Sequence, residues 1–377
     1  MHTGVIESQL CESARMLSEQ AGARCSVLIS ANGDAENAKQ TLSQYASGIV
    51  SVTNVLERGN ALKNISHWKA SVRPIWDELK SHPPCSIYFR SVLSSLALRQ
   101  KFGAIGTRSV LDVRGISAEE KRYLRGRPSF IDLPLRLIQY REIRKVDRLL
   151  CVSNALADWI RRKTGRSVDA VVPACLDTNR FGLENEDRVS LRKSLGWSAD
   201  QTIFLYAGGI QKWQRIDDTI RLFKYLAEQS PDYRFAFVVR EPEEVQKRFS
   251  SHGFDADKAI CRSLPPQDVP QWLNAADVGV ILRHDHPVNN VSSPIKLAEY
   301  LSAGLRVILT DSIGDISGLV KEHNFGWLVN ETEIESGIYE AIPPIQPCDE
   351  SRQRIRTFAS EKFERRNYAQ QLTDNLL

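Results

Sequence analysis

The seven cysteines of this chain, Cys11, Cys25, Cys85, Cys151, Cys175, Cys261 and Cys348, never form a C-x-x-C pair, and methionine is scarce. That spacing excludes a zinc ribbon or a disulfide-stapled scaffold and reads as reduced, mostly buried thiols. No apolar run approaches the ~20 residues a membrane helix needs, and no basic segment leads into an apolar one at the N-terminus. The expectation is a cytoplasmic chain with neither span nor signal peptide. Also missing are a P-loop, H-E-x-x-H, G-x-S-x-G and G-x-G-x-x-G, which removes the usual NTPase, zinc protease, serine hydrolase and simple NAD readings. The pair His284-x-His286 reads as a polar loop, and no metal is expected.

What is present is length and alternation. A chain of 377 residues is too long for one core and predicts two domains. The net charge is only +4, yet between Lys101 and Arg166 there are 16 Lys/Arg against 7 Asp/Glu, a local +9 that leaves −5 elsewhere. A basic face of that kind predicts contact with anionic lipid headgroups or a phosphorylated substrate. No nucleic-acid module accompanies the charge, so nucleic acid is not an expected partner.

Ile6 to Gln20 reads as a helix. Apolar strands are predicted at Ser26–Ser30, Ile49–Val55, Ser86–Phe89, Ser109–Val113, Leu149–Val152 and Ala170–Val172, separated mostly by helical patterns. The helix around Leu62–Leu79 carries Trp68 and Trp76, read as core packing. A polar crossover runs to Arg192. A second series follows, with strands at Thr202–Tyr206, Arg234–Val239, Ala259–Cys261, Val278–Leu282, Leu305–Leu309 and Gly326–Leu328. Its helices are expected near 217–229, 242–251, 268–275, 294–303 and 332–341. From Ser351 the chain is polar and helical, anchored by Phe358, Phe363, Tyr368 and Leu372. Alternation of this kind predicts parallel sheets covered by helices on both faces.

The densest signal is Ser292-Ser293-Pro294-Ile295-Lys296-Leu297-Ala298-Glu299-Tyr300-Leu301-Ser302-Ala303-Gly304, which feeds the apolar run 305–309. It predicts a short helix with Ser293 as N-cap, Pro294 in the first turn and Gly304 at its end. The free N–H groups at its start favour an anion, and Lys296 in the first turn calls for a negative partner; phosphate fits both. Glu299 on the flank suits the vicinal hydroxyls of a ribose. In open parallel sheets ligands bind beyond the carboxyl ends of strands. There stand Gly208-Gly209, whose turn lets backbone approach a ligand, with Lys212 and Arg215 beside it, and the loop from Arg283 that leads into the 292–304 stretch.

These segments together resemble the GT-B glycosyltransferases, in particular the retaining family 4 type (glycosyl transferases group 1). The resemblance rests on S-P-I-K-L-A-E-Y-L-S-A-G-L-R-V-I-L at 293–309, supported by Y-A-G-G-I-Q-K-W-Q at 206–214, L-N-A-A-D-V-G-V at 273–280, L-C-V-S-N at 150–154, V-V-P at 171–173 and D-V-R-G at 112–115. It implies two Rossmann-like, doubly wound α/β domains facing across a cleft: an acceptor domain over 1–175, a donor domain over 176–350, and a 351–377 helix crossing back to the N-terminal domain. It further implies a hexosyl-type transfer with retention, without a metal. The donor would be a nucleotide diphosphate sugar and the acceptor a glycan or lipid-linked glycan, in cell-surface polysaccharide biosynthesis at the cytoplasmic face of a membrane.

Carried over by position, Glu299 is expected on the donor ribose, and Gly208, Gly209, Ser292, Ser293, Lys296 and Arg215 on the nucleotide. Asp112, Arg114, Lys212 and Arg283 are the candidate catalytic residues. The family's turn lysine aligns with Gln214 and its arginine with Gly209, so Lys212, Arg215, Arg283 or Lys296 must supply the diphosphate charge. The first glutamate of the family's E-x7-E motif falls at Val291. A GT-B-fold sugar-nucleotide epimerase or a non-catalytic GT-B-like binding protein is the alternative. Because Thr3–Glu7 has the look of a loop entering a helix with no strand before it, Met1 is expected to be an internal methionine, preceded by a short apolar strand.

Overall fold

The computed structural model describes residues 12–22, 25, 27–31, 50–54, 66, 69, 72–73, 76–182, 185–340, 342–345 and 349–377. It separates into two units, Met1–Pro173 with Arg365–Leu377, and Ala174–Glu364. The expected helix start at Ile6, the loop Thr3–Glu7 and Trp68 lie outside the described residues.

In the first unit β1 (Val27–Ala31) pairs in parallel with β2 (Val50–Asn54). The strands β3 (Ser86–Phe89), β4 (Arg108–Val113), β5 (Arg148–Cys151) and β6 (Ala170–Val171) form a four-stranded parallel sheet in that order. Parallel pairing requires crossovers, supplied by helices Val92–Gly103, Ser117–Arg125 with Asp132–Lys145, and Asn154–Thr164. The L-C-V-S-N segment is the start of the last of these: Ser153 Oγ accepts from Leu156 N at 3.0 Å and caps the helix. Trp76 packs edge-on against Phe102 with ring centroids 5.7 Å apart, the packing role expected of it.

In the second unit β7 (Thr202–Ala207), β8 (Tyr233–Val238), β9 (Ala259–Arg262), β10 (Val278–Ile281), β11 (Arg306–Thr310) and β12 (Gly326–Val329) form one parallel sheet in the order β12-β11-β10-β7-β8-β9. Strand periodicity divides its side chains between two cores. Ile203, Leu205 and Ala207 enter one cluster with Ala236, Val307 and Leu309. Phe204 and Tyr206 enter the other with Phe235, Phe237 and Ile308. Both faces are therefore apolar and covered by helices, as the alternation predicts. Along the described residues every strand end falls within one residue of its expected place.

Some helices differ from expectation. The polar crossover before Arg192 is a helix, Asn185–Ser194, held because Arg188 and Arg192 turn inward to Asp277 at 2.6 Å each. A further helix, Gly314–His323, fills the connection from β11 to β12. The helix expected at 332–341 stops at Ser336 because Gly337 is left-handed. The segment after 350 is not one element: helix Asp349–Phe363 packs within the second unit through Ile355, Ala359 and Phe363. Arg352 fixes it there by donating to the Ala276, Asn274 and Ala303 carbonyls at 2.6–3.0 Å. Only Arg365–Leu377 belongs to the first unit, where helix Ala369–Leu376 packs on helix Glu12–Ala21.

Candidate functional site

The sheet of the second unit reverses its order between β7 and β10, with β8 and β9 on one side and β11 and β12 on the other. At such a reversal the connecting loops diverge, and the carboxyl ends of the two central strands open into a crevice. The loops that start there are 208–215 and 282–294, the two singled out by sequence.

Lys296, in the first turn of helix Ile295–Ser302, is buried. Its ammonium donates to Tyr206 Oη at 2.8 Å and Gln214 Oε1 at 2.7 Å, and it lies 4.0 Å from the centre of the Tyr206 ring. These acceptors are neutral. Burial drives its pKa well below 10.5, with Arg283 adding to the fall and Glu299 opposing it. A cation held this way is short of negative charge. Gly208, at φ +137°, arches over it; a Cβ there would stand 2.4 Å from Lys296 Cε, so only glycine lets the backbone pass. At Gly209 a side chain would meet the Gln211 amide, and the Gly209 carbonyl accepts from the Tyr206 hydroxyl.

Arg283 is also buried, its amide donating to Thr310 Oγ1 at 3.1 Å and its guanidinium to the Trp213 carbonyl at 2.9 Å. Arg215 faces a different set of groups. It stands left-handed at φ 50°, donates to Asp218, and reaches Glu331 Oε2 at 2.6 Å. Burial opposes its charge, but the bonds to Glu331 and Asp218 raise its pKa, so its cation is already balanced by carboxylates. Lys212 is exposed on the turn 212–214.

Ser293 is not the cap that the sequence suggests. Pro294, at φ −69° and ψ 126°, is the N-cap with no side-chain bond, and Ser293 Oγ accepts from Ala174 N at 3.2 Å. Ser292 Oγ donates to the Asn289 carbonyl at 2.8 Å. Among the described residues no N-cap side chain accepts from the amides at the helix start. Glu299, half-buried on the same helix, makes no side-chain hydrogen bond among the described residues. Burial pushes its carboxyl pKa up, while Lys296 and Arg180 pull it down.

Asp112 and Arg114 lie in the first unit, at the carboxyl end of β4. Asp112 is buried; its Oδ2 accepts from the Tyr88 hydroxyl and from Arg114 Nε at 2.5 Å, with Arg90 Nε at 3.7 Å. Its Oδ1 is buried without a hydrogen bond. Burial works against the Arg114 charge, but Asp112 and Tyr88 outweigh it and raise the pKa.

Sequence reasoning missed Tyr206, Gln214, Thr310, Asp218 and Glu331. Gln214 carried a signal: it occupies the position of the family's turn lysine, and it is the residue that receives Lys296. Val291, where the family has its first glutamate, is buried.

Two Rossmann-like units, with glycine turn, buried cations and helix start at a strand-order reversal in the second, define the class: the fold is the GT-B fold of glycosyltransferases. Residues 187–362 match the model of the glycosyl transferases group 1 family. Among curated relatives, the D-inositol 3-phosphate glycosyltransferase of Nocardioides sp. is 25% identical over 194 residues, 47% of this chain and 41% of the relative. That of Streptomyces avermitilis is 30% identical over 199 residues, 48% of this chain and 41% of the relative. The matches therefore span about two fifths of those relatives' length. The solved structure of Anabaena HepE in complex with UDP and glucose superposes with a TM-score of 0.68 at 15% identity, covering 97% of this chain and 95% of that one.

Proposed function

We propose that this protein is a glycosyltransferase that moves a sugar, with retention, from a nucleotide diphosphate sugar to a glycan or lipid-linked acceptor in cell-surface polysaccharide biosynthesis. The observation that carries the reading is Lys296, a buried ammonium on neutral acceptors beside Arg283, at the free start of a helix. Breaking a sugar–phosphate bond builds negative charge on the diphosphate, and preorganised cations with helix amides stabilise that charge. Lys296, Arg283 and the amides at Ile295 and Lys296 would hold the diphosphate, with Lys212 at the turn. Gly208 and Gly209 would admit it closely, and Glu299 would accept from the ribose hydroxyls. Arg215, balanced by Asp218 and Glu331, would hold the turn in shape rather than touch phosphate.

In the step itself the bond from the anomeric carbon to the diphosphate oxygen breaks with its electron pair leaving on that oxygen. An acceptor oxygen bonds the same carbon from the same face, and its proton passes to the departing diphosphate. No paired carboxylates are required. Asp112 and Arg114 would act on the sugar or acceptor side. The match of residues 187–362 to the glycosyl transferases group 1 family and the UDP and glucose in the HepE complex support a sugar-nucleotide donor.

The test is to incubate the protein with uridine, guanosine, thymidine and adenosine diphosphate sugars and follow release of the nucleoside diphosphate. Slow hydrolysis of one donor, abolished by Lys296→Met, is expected. Binding without release across all donors would favour the non-catalytic alternative, and absence of binding would refute the site.

A further inference from the structure

In the first unit, the helices Ser117–Arg125 and Asp132–Lys145 pack against each other as a hairpin. Its inner side is conventional. Ala118, Leu135 and Ile143 are buried, Gln139 bonds the Ser117 amide at 3.1 Å and the Gly115 carbonyl at 3.0 Å, and Arg136 pairs with Glu119 at 2.8 Å.

Its outer side is not. Phe130 in the connecting turn is 90% exposed, Leu133 59%, Leu137 56%, and Leu124 at the end of the first helix 49%. The other large apolar side chains exposed among the described residues, Val189, Ile338 and Leu377, stand singly. Leu133, Leu137, Arg141 and Lys145 are exposed at a four-residue spacing, which places them in one stripe along the helix. The stripe is apolar toward the turn and basic away from it.

Charge in this hairpin is one-sided from Lys121 onward; ahead of it Glu119 pairs with Arg136 and Glu120 is half-buried. Residues 121–145 hold eight Lys/Arg and two acids, Asp132 and Glu142. Both acids are buried and used internally: Asp132 receives Arg125 and the Ser129 amide, and Glu142 receives Arg99 and Ser95. Arg122, Arg127, Arg141 and Lys145 are exposed and form no salt bridge among the described residues. Because three of the hairpin's four carboxylates are paired and Glu120 is half-buried, the surface carries net positive charge around bare apolar groups.

From this we infer that the hairpin 117–145 docks on an anionic lipid bilayer, with Phe130, Leu133, Leu137 and Leu124 entering the headgroup boundary and the arginines and Lys145 meeting lipid phosphates. An aqueous protein gains nothing by exposing four large apolar side chains on one helix hairpin, whereas an interface with acyl chains below and phosphates above satisfies both halves. The long basic side chains reach upward to the headgroups while the apolar tip descends. A surface of this size gives reversible docking, not insertion across the bilayer. Among the described residues no helix is long and apolar enough to cross one. The inference does not rest on the sugar-transfer reading, since lipid binding is measured without any donor.

The experiment is co-sedimentation of the full chain with vesicles of phosphatidylcholine alone and of phosphatidylcholine with phosphatidylglycerol, at low and high salt. Wild type is expected to bind the anionic vesicles at low salt, and to weaken as salt screens the headgroups. Phe130→Ser with Leu137→Ser is expected to weaken binding at least about tenfold, from the lost apolar burial. Arg141→Glu with Lys145→Glu is expected to do so by about fivefold or more per charge. Unchanged melting temperatures show that the variants fold. Equal binding to neutral vesicles, no binding at low salt, or variants that bind like wild type would overturn the inference. So would light scattering that finds a dimer which Phe130→Ser dissociates, because a second copy would then own the face.

Discussion

The Lys296 ammonium donates to the Tyr206 hydroxyl at 2.8 Å and lies 4.0 Å from the centre of the same ring. A buried cation satisfied by a phenol and an amide is chemically complete in hydrogen bonds and incomplete in charge. That distinction yields two opposite expectations.

Without a ligand, Lys296 lowers stability. Its folded pKa lies below 10.5, so between that value and 10.5 the unfolded chain binds the proton more readily, and stability rises with pH across the interval. Lys296→Met should therefore raise the melting temperature at pH values below the interval and flatten the rise within it. With a nucleoside diphosphate the sign reverses, because the anion favours the charged amine. At a pH inside that interval, calorimetry in buffers of different ionisation enthalpy should detect proton uptake on binding by wild type and none with Lys296→Met. A variant that binds nucleoside diphosphate as tightly as wild type would remove Lys296 from the site.

Glu299 separates ribose from phosphate. Glu299→Ala should weaken nucleoside diphosphate binding by about 1–3 kcal/mol, the cost of leaving hydrogen-bonding groups unmade. It should leave inorganic pyrophosphate affinity unchanged. Since burial raises its folded pKa, its carboxylate costs stability as pH rises above 4.5 toward that folded value, and the substitution should not lower the melting temperature at neutral pH. Equal loss for both ligands would show that Glu299 acts by favouring the charged Lys296 and not on the ribose.

Arg215 is expected to matter for the fold before it matters for turnover. Arg215→Ala takes the buried cation from Glu331 and leaves Asp218 with Arg221 alone, and should cost about 3 kcal/mol in urea unfolding. Arg215→Gly should cost about 1 kcal/mol less, since glycine adopts the left-handed backbone at φ 50° without strain. Full stability of Arg215→Ala would return Arg215 to the list of phosphate ligands.

Asp277 is a structural hub. It receives Arg188 and Arg192 at 2.6 Å each and the Ile203 amide at 2.8 Å. Asp277→Ala should destabilise by about 3–5 kcal/mol, because two buried guanidiniums lose their counter-charge. Nucleotide affinity of the folded fraction should stay near wild type, as followed by titration at low temperature.

Asp112 tests the division of labour between the units. Asp112→Asn keeps the shape but weakens the hold on Arg114 and Tyr88. Turnover with donor and acceptor should fall by at least about tenfold, while nucleoside diphosphate affinity is unchanged. Loss of nucleotide affinity with turnover per bound donor intact would reassign it to the donor side.

The sequence alone determined the strands, because side-chain alternation and short apolar runs are local properties that survive any packing. It also located the 292–304 stretch and the glycine turn, since glycine, proline and charge at a helix start act within a few residues. What tertiary structure decided is where each charge is spent. Arg215 and Arg283 are equivalent in the sequence, yet Asp218 and the distant Glu331 neutralise the first, and only packing brings Glu331 there. Ser293 reads as a cap, yet its hydroxyl receives the Ala174 amide, a partner 119 residues away. Asp277 and Arg352 look like surface charges and are buried, because the helix Asp349–Phe363 folds back onto the carbonyls of 274–276. Local pattern fixes element and motif; the balance of buried charge is a sum over neighbours that the chain order does not contain.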